Sequence, residues 1–327
     1  MQRELAWDVV VTLGYAGSRG KHLLRSSDVN VPTPDVLADG TVFFPPTAAR
    51  PNPAFTTIEL KSSDGDSWYN AFVFETRRAF HNGFSLQSSY TLSRNIDTTQ
   101  ASTFFSDSTT GTTTAFPEFP GLNYNKGLAD YHAKHNWVVN VTWDVPFARN
   151  LTGVSKALLD GWQIVGINQM RSGNPLTVFI QNNWSRSRWS PSLGPGIGFD
   201  RPSFAPGRSA DDAIIGRQEQ YFDPTAFVLP PQGTPGNVGR GALIGPGLNV
   251  FDLALIKNAP WSRLGSGGRL EFRLEAFNLF NHTNLGGPAV TAFTGLAADE
   301  RPVSTFGRIR STVTSSRQIQ IGVRARF

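Results

Sequence analysis

The hydrophobic pattern of this chain is a strict alternation repeated in short segments. Residues 317–327 place Ile319, Ile321, Val323, Ala325 and Phe327 on one face of a strand, and Gln318, Gln320, Gly322, Arg324 and Arg326 on the other. Successive strand side chains point to opposite sides, so this spacing has a single geometric reading. The same period recurs in six further segments. Trp7, Val9, Val11 and Leu13 share a phase, as do Phe72, Phe74 and Thr76. Phe84, Leu86, Ser88, Tyr90 and Leu92 form a third set, and Trp137, Val139, Val141, Trp143 and Val145 a fourth. Phe251, Leu253 and Leu255, then Leu270, Phe272, Leu274 and Ala276, complete the series. Gly161–Arg171 reads as an eighth strand from its β-rich content, although its alternation is poor. No stripe of helical period competes, and Lys156–Leu159 predicts one helical turn at most.

The connections carry as much information as the strands. They run Tyr15–Trp68, His81–Gly83, Asn95–Lys134, Pro146–Asp160, Ser172–Asn249, Asn258–Gly268 and Asn281–Ser316, alternately long and short. Long structureless loops argue against a compact soluble domain. Membrane barrels, by contrast, have long loops on the outer rim and short turns on the periplasmic rim. With Phe327 at the periplasmic rim, every long loop falls outside. Asn82-Gly83 supplies the positive-φ pair of a tight hairpin. A strand of about ten residues, tilted by about 45°, spans ~23 Å and matches the apolar band of such barrels. The expected fold is therefore all-β, an antiparallel transmembrane barrel in the cell outer membrane of a Gram-negative cell.

Composition narrows the chemistry. No run of eighteen apolar residues occurs, so no helix of this chain would span a bilayer. With no cysteine there is neither a disulfide scaffold nor a thiolate centre. The net charge of +5 comes from scattered Arg, without the basic patch of a nucleic-acid binder. His22, His81, His132, His135 and His282 show no metal-ligand spacing. There is no G-x-S-x-G elbow. Gly194–Gly198 and Gly239-Arg240-Gly241 lack the Lys and strand–helix setting of a phosphate loop. No catalytic residue, metal or cofactor is expected, and the chain does not read as an enzyme.

Polar strand positions are expected to line a lumen: Asn140, Asp144, Glu271, Arg273, Glu275, Gln318, Gln320 and Arg324. Trp7, Tyr15, Trp137 and Trp143 are expected at the lipid–water interface, where a ring with a polar edge is favoured. Ile319, Ile321, Val323, Ala325 and Phe327 form the candidate strand for recognition by the barrel-assembly machinery. In the long loops, Phe116–Tyr124 and Asn182–Trp189 are expected to serve loop packing before any contact with substrate.

Several blocks together resemble a family. Tyr69–Phe72, Arg77–Leu86 and Ser89–Asp97 are similar to a hairpin of TonB-dependent outer-membrane transporters. The branch they resemble is the Oar-like one, whose members often carry a carboxypeptidase-regulatory-like domain. Asp160–Ile164 with Ser172–Val178, then Arg269–Gly286 and Phe306–Phe327, follow in the family's order. The resemblance implies a 22-stranded barrel with an N-terminal plug and a TonB box, used for energy-coupled uptake of a solute. Residues 1–327 would then be the C-terminal part of that barrel domain, about eight strands, with the plug and N-terminal strands absent. Met1–Trp7 carries no export signal, which fits such a fragment. The implied partners are outer-membrane lipid, the assembly machinery and, through the missing region only, the TonB complex. The alternative is an outer-membrane adhesin or structural barrel that binds partners through its loops. A soluble secreted β-domain is a third reading, disfavoured because the apolar phase would be an aggregating patch in water.

Overall fold

The two-residue period organises the wall. The computed structural model describes residues 1–98, 116, 124–146, 148, 150–189, 200–261, 263, 265 and 267–327. Among these lies a ten-stranded sheet, nine strands of which follow one antiparallel path. They are β1 Gln2–Leu5, β2 Val9–Asp28, β3 Glu59–His81, β4 Phe84–Asp97, β5 His135–Asp144, β6 Trp162–Arg171, β7 Leu248–Pro260, β8 Arg269–Phe277 and β9 Gln318–Arg326. Each pairs with its neighbour along the chain, and the tenth, Gly127–Leu128, pairs beside β4. The sheet is open, with β1 and β9 as its edges.

Register unites the apolar phases into one face. Leu13 lies opposite Phe74, Phe74 opposite Tyr90, Tyr90 opposite Trp137 and Trp137 opposite Met170. Further along the wall, Ile164 pairs with Leu255, Leu255 with Leu274 and Leu274 with Ile321. These side chains are exposed or half-exposed, Ile321 the most open of them at 78%. The opposite face carries Arg77, Gln87, Asn140, Ile167 and Asp252 in one cross-strand row. Strand β6 alternates poorly because Val165 and Ile167 sit on this polar face while Asn168 sits on the apolar one.

Three expectations are corrected. The segment Tyr15–Trp68 is strand at both ends: β2 and β3 continue pairing out to Asp28–Glu59, with a bulge near Gly20–Leu23, and the loop is confined to 29–58. Tyr15 therefore lies within a strand, at the level where β5 begins. Trp7 leaves the strand phase. It occupies the 3-10 turn Ala6–Asp8 at φ 63°, which folds the unforeseen β1 back on β2. The helical turn is longer than expected, α1 covering Gly153–Leu159. Asn82 and Gly83 both take positive φ, as the Asn-Gly signal requires.

The wall has no interior of its own. The buried apolar residues come chiefly from the long loops, which gather at one rim. Val178, Ile180, Phe222, Phe227, Leu243, Phe293 and Phe306 form the larger cluster. Val31, Val42, Phe44, Phe116, Tyr124 and Trp189 form the second, with Phe116 packed against Trp189 at 5.1 Å and Tyr124 at 4.8 Å. Loop packing thus accounts for Phe116, Tyr124, Trp184 and Trp189; residues 117–123 lie outside the described residues, as does Gly194–Gly198.

Phe222→Ala should destabilise this cap by about 3–5 kcal/mol, the usual cost of deleting a buried phenyl ring. Limited proteolysis should then cut the long loops much faster while heat-modifiable migration of the wall is unchanged. Loss of both together would show that cap and wall fold as one unit.

Candidate functional site

The polar face meets the cap in a cleft of about 720 Å³. Its walls are strand side chains of the polar phase: Ser18, Ser67 and Tyr69 from β2–β3, Thr91, Ser93 and Asn95 from β4, Asn136 from β5, and Gln169 and Arg171 from β6. Tyr131 and His132 close it from the loop that precedes β5. The lining is mainly hydroxyl and carboxamide, with two phenol rings and one guanidinium. Arg171 donates to the Tyr131 carbonyl at 3.3 Å and to Asn174 Oδ1 at 2.9 Å. His132 Nδ1 accepts the Asn95 backbone N–H. Burial, reinforced by Arg94, Arg171 and Lys134, lowers the His132 pKa. The donors and acceptors of this cleft suit hydrogen bonding to a polar solute.

Cations from remote loops tie the cap together and join it to the end of β4. Arg240, at the centre of the Gly239-Arg240-Gly241 loop, pairs with Asp97 at the end of β4 and lies 3.8 Å from Asp130. It also donates to the Asn125 carbonyl at 2.7 Å. Arg201 stacks on the Tyr124 ring at 3.4 Å and donates to the Tyr124 and Val238 carbonyls. Burial pushes the Tyr124 phenol up to about 12 and lowers Arg201 to about 10. Arg50 joins loop 29–58 to the Arg188 carbonyl at 2.6 Å. Asp200 accepts from the Ser185 N–H at 2.6 Å and its hydroxyl at 2.8 Å, and burial raises it to about 6. The sequence reached Tyr124, Ser185, Arg188 and Arg240 only inside loop stretches and assigned no role to Arg50, Asp200 or Arg201. The available signal was a lone charge among Gly, Pro and aromatic neighbours, as in Phe199-Asp200-Arg201-Pro202.

The residues expected in the lumen occupy one face but fall in two places. Glu271, Arg273 and Glu275 share a face of β8, opposite Arg324, Gly322 and Gln320 of β9. Arg273 bridges Glu275 at 3.0 Å and Glu271 at 3.6 Å, while Arg326 pairs with Glu271 at 3.0 Å. Gln318 lies opposite Phe277 at the cap end of β9. Asp144 accepts from Gln163 Nε2 at 2.7 Å, and Asn140 lies opposite Gln87 and Ile167. None of these eight lines the cleft. On the other face, Trp137 donates to Ser88 Oγ at 2.9 Å and Trp143 lies opposite Phe84 and Ile164. Ile319, Ile321, Val323 and Ala325 extend the apolar phase of β8, and Phe327 follows them, 93% exposed. His132 and His135 do not converge: His135 Nδ1 contacts Tyr90 Oη at 2.7 Å.

A wall apolar on one face and polar on the other, with long loops on one rim and short turns on its opposite, defines an outer-membrane barrel structure. The chain belongs to the outer membrane beta barrel domain family, whose model matches residues 1–320. It therefore resides in the outer membrane, with the apolar phase in lipid and the cap on the extracellular rim. A search of curated proteins finds no match.

Arg240→Ala should cost the cap about 3–5 kcal/mol, because it removes the cation from buried Asp97. Hydrogen exchange of residues 124–130 and 239–244 should accelerate sharply. Asp200 supplies a pH signature. Its carboxyl binds a proton more tightly in the folded cap than in an open loop, so the folded form is favoured by acid. Cap stability should fall as pH rises from the ordinary value of 3.8 toward about 6, and level off above. Proteolysis of the cap against pH should show this slope, and Asp200→Asn should flatten it.

Proposed function

We propose that the chain forms part of the barrel of a TonB-dependent outer-membrane receptor of the Oar-like branch, serving energy-coupled uptake of a solute. The observation that carries this reading is the joining of the long loops into one cap at the rim where the lumen face forms a polar cleft, closed on the loop side by Tyr131 and His132. A receptor gains affinity when its binding loops are ordered before the ligand arrives. Here stacked aromatics and buried Arg–Asp pairs order them. Binding, not catalysis, is the chemistry such a cleft supplies, and the energy for release would come through a plug and TonB box.

A second reading, an adhesin or structural barrel engaging partners through its loops, draws support from exposed apolar loop side chains such as Leu296 at 78% and Phe55 at 57%. The two readings separate in the full-length protein. An N-terminal plug with a TonB box, and binding of that protein to the TonB periplasmic domain, are expected of the receptor. A closed barrel without a plug that does not bind TonB would overturn it in favour of the adhesin.

The C-terminal strand gives a further expectation. Ile321 sits in the lipid-facing row and Phe327 ends the same phase. Ile321→Asn combined with Phe327→Ala in the full-length protein should block insertion by the assembly machinery, read as loss of the heat-modifiable form in outer-membrane fractions. Normal migration of the double variant would remove the assembly role from this strand.

A further inference from the structure

Among the described residues, nothing buries the apolar side of helix α1. It spans seven residues, none of them buried, and Val154, Leu158 and Leu159 are 76%, 64% and 56% exposed. An isolated helix this short is unstable in water, since the cost of nucleation is not recovered in so few residues. Something must cover its apolar side. Val154 and Leu158 are four residues apart and so share one helical face, which Leu151 extends just before the helix. Lys156 and Ala157 point elsewhere, lining a recess shared with Trp261 and Arg269.

The helix is also fixed in height. Trp162, on the lipid-facing phase, donates its indole N–H to the Leu158 carbonyl at 2.9 Å. Lys257, opposite Trp162 on the same phase, donates to the Asp160 carbonyl and lies 5.8 Å from the Trp162 ring. Gly161, at φ 77°, passes so close to the Asn258 carbonyl that a Cβ would stand 2.5 Å from its oxygen. The end of α1 is thereby clamped to the short-turn rim, on the side of the wall that faces lipid. Charge agrees with this placement. Arg78, whose guanidinium lies 5.2 Å from the Phe84 ring, and Lys257 put cations on the apolar phase near this rim, as side chains snorkelling to headgroups do.

We infer that α1 is an interfacial anchor, its Val154–Leu158 face seated in the periplasmic leaflet of the outer membrane while Lys156 and Lys257 meet anionic phospholipid headgroups. The apolar band of the wall thus continues onto the turn between β5 and β6. This rests on the outer-membrane location alone and is independent of what the cap binds.

Residues 1–327 contain no cysteine, so single labels are unambiguous once any cysteine elsewhere in the full-length protein is replaced by serine. Nitroxides would be placed by Val154→Cys and Leu158→Cys in the full-length protein reconstituted in vesicles of zwitterionic and anionic phospholipid, with Ala298→Cys in a long loop as aqueous reference. Collision with oxygen and with a water-soluble nickel chelate would then be read for each. The expected result is a several-fold higher oxygen-to-nickel ratio at 154 and 158 than at 298. High nickel collision at both sites would place α1 in the periplasm and overturn the anchor. Low collision with both reagents would mean a protein surface covers the helix, which overturns it equally.

Discussion

Every backbone N–H and C=O within the hydrocarbon layer must find a partner in the protein, because lipid offers none. This constraint sets the rest of the structure. It makes the wall a continuous antiparallel ladder, and the ladder locks the two-residue period of each strand to that of its neighbour. A slip of one residue would turn Leu274 and Phe272 inward and expose Glu271 and Arg273 to lipid. Departures from the pattern are local and compensated. Gly166, on the lipid-facing phase, is covered by the Phe251 ring across the strand pair.

A wall that is one sheet thick has no interior, so the hydrophobic effect acts on this chain in two separate places. Apolar strand residues are taken up by lipid. Water exclusion proper operates in the loops, where Phe222, Phe293 and Phe306 are buried beside Val178, Ile180 and Leu243. Because those loops leave the wall at different strands, burying them together pulls four connections into a single cap. Tyr221 donates to the Gly307 carbonyl at 2.8 Å, Phe44 to Gly233 at 2.8 Å, and Arg240 reaches Asp97. Each bond joins a different pair of loops or a loop to a strand end.

The strands were legible in the sequence because lipid enforces alternation, and only where it does. Beyond the lipid, β2 and β3 run on through Arg19-Gly20-Lys21 and Ser62-Ser63-Asp64-Gly65-Asp66, polar on both faces, so their pairing left no periodic trace. The hairpin at Trp7-Asp8 was hidden for a different reason. Both residues take positive φ without a glycine, and the turn is held by His81 on Asp8 at 2.6 Å and Arg78 on the Trp7 carbonyl at 2.9 Å. The cap cations were beyond reach altogether, since Arg240 and Asp97 meet only after the intervening chain has folded. Of the candidate site, the sequence placed Thr91 and Asn136 on the polar phase of their strands, but read Ser18, Ser67 and Asn95 as loop and did not bring Tyr131 or His132 to them.

The two parts of the polar face are built for different tasks. At β8–β9 the charges satisfy one another: Arg273 and Arg326 divide Glu271 and Glu275 between them, and Glu271 is 6% exposed. Such a network holds neighbouring strands in register and has little to offer a visitor, because any ligand would first have to break pairs already made. At β2–β6 the face carries Ser, Thr, Asn and Gln around a hollow, with one guanidinium half engaged by Asn174 and the Tyr131 carbonyl. Neutral donors and acceptors exchange water for solute at small net cost. The cleft on β2–β6 therefore presents neutral hydrogen-bonding groups to the outer mouth, while the charges at β8–β9 are matched within the wall.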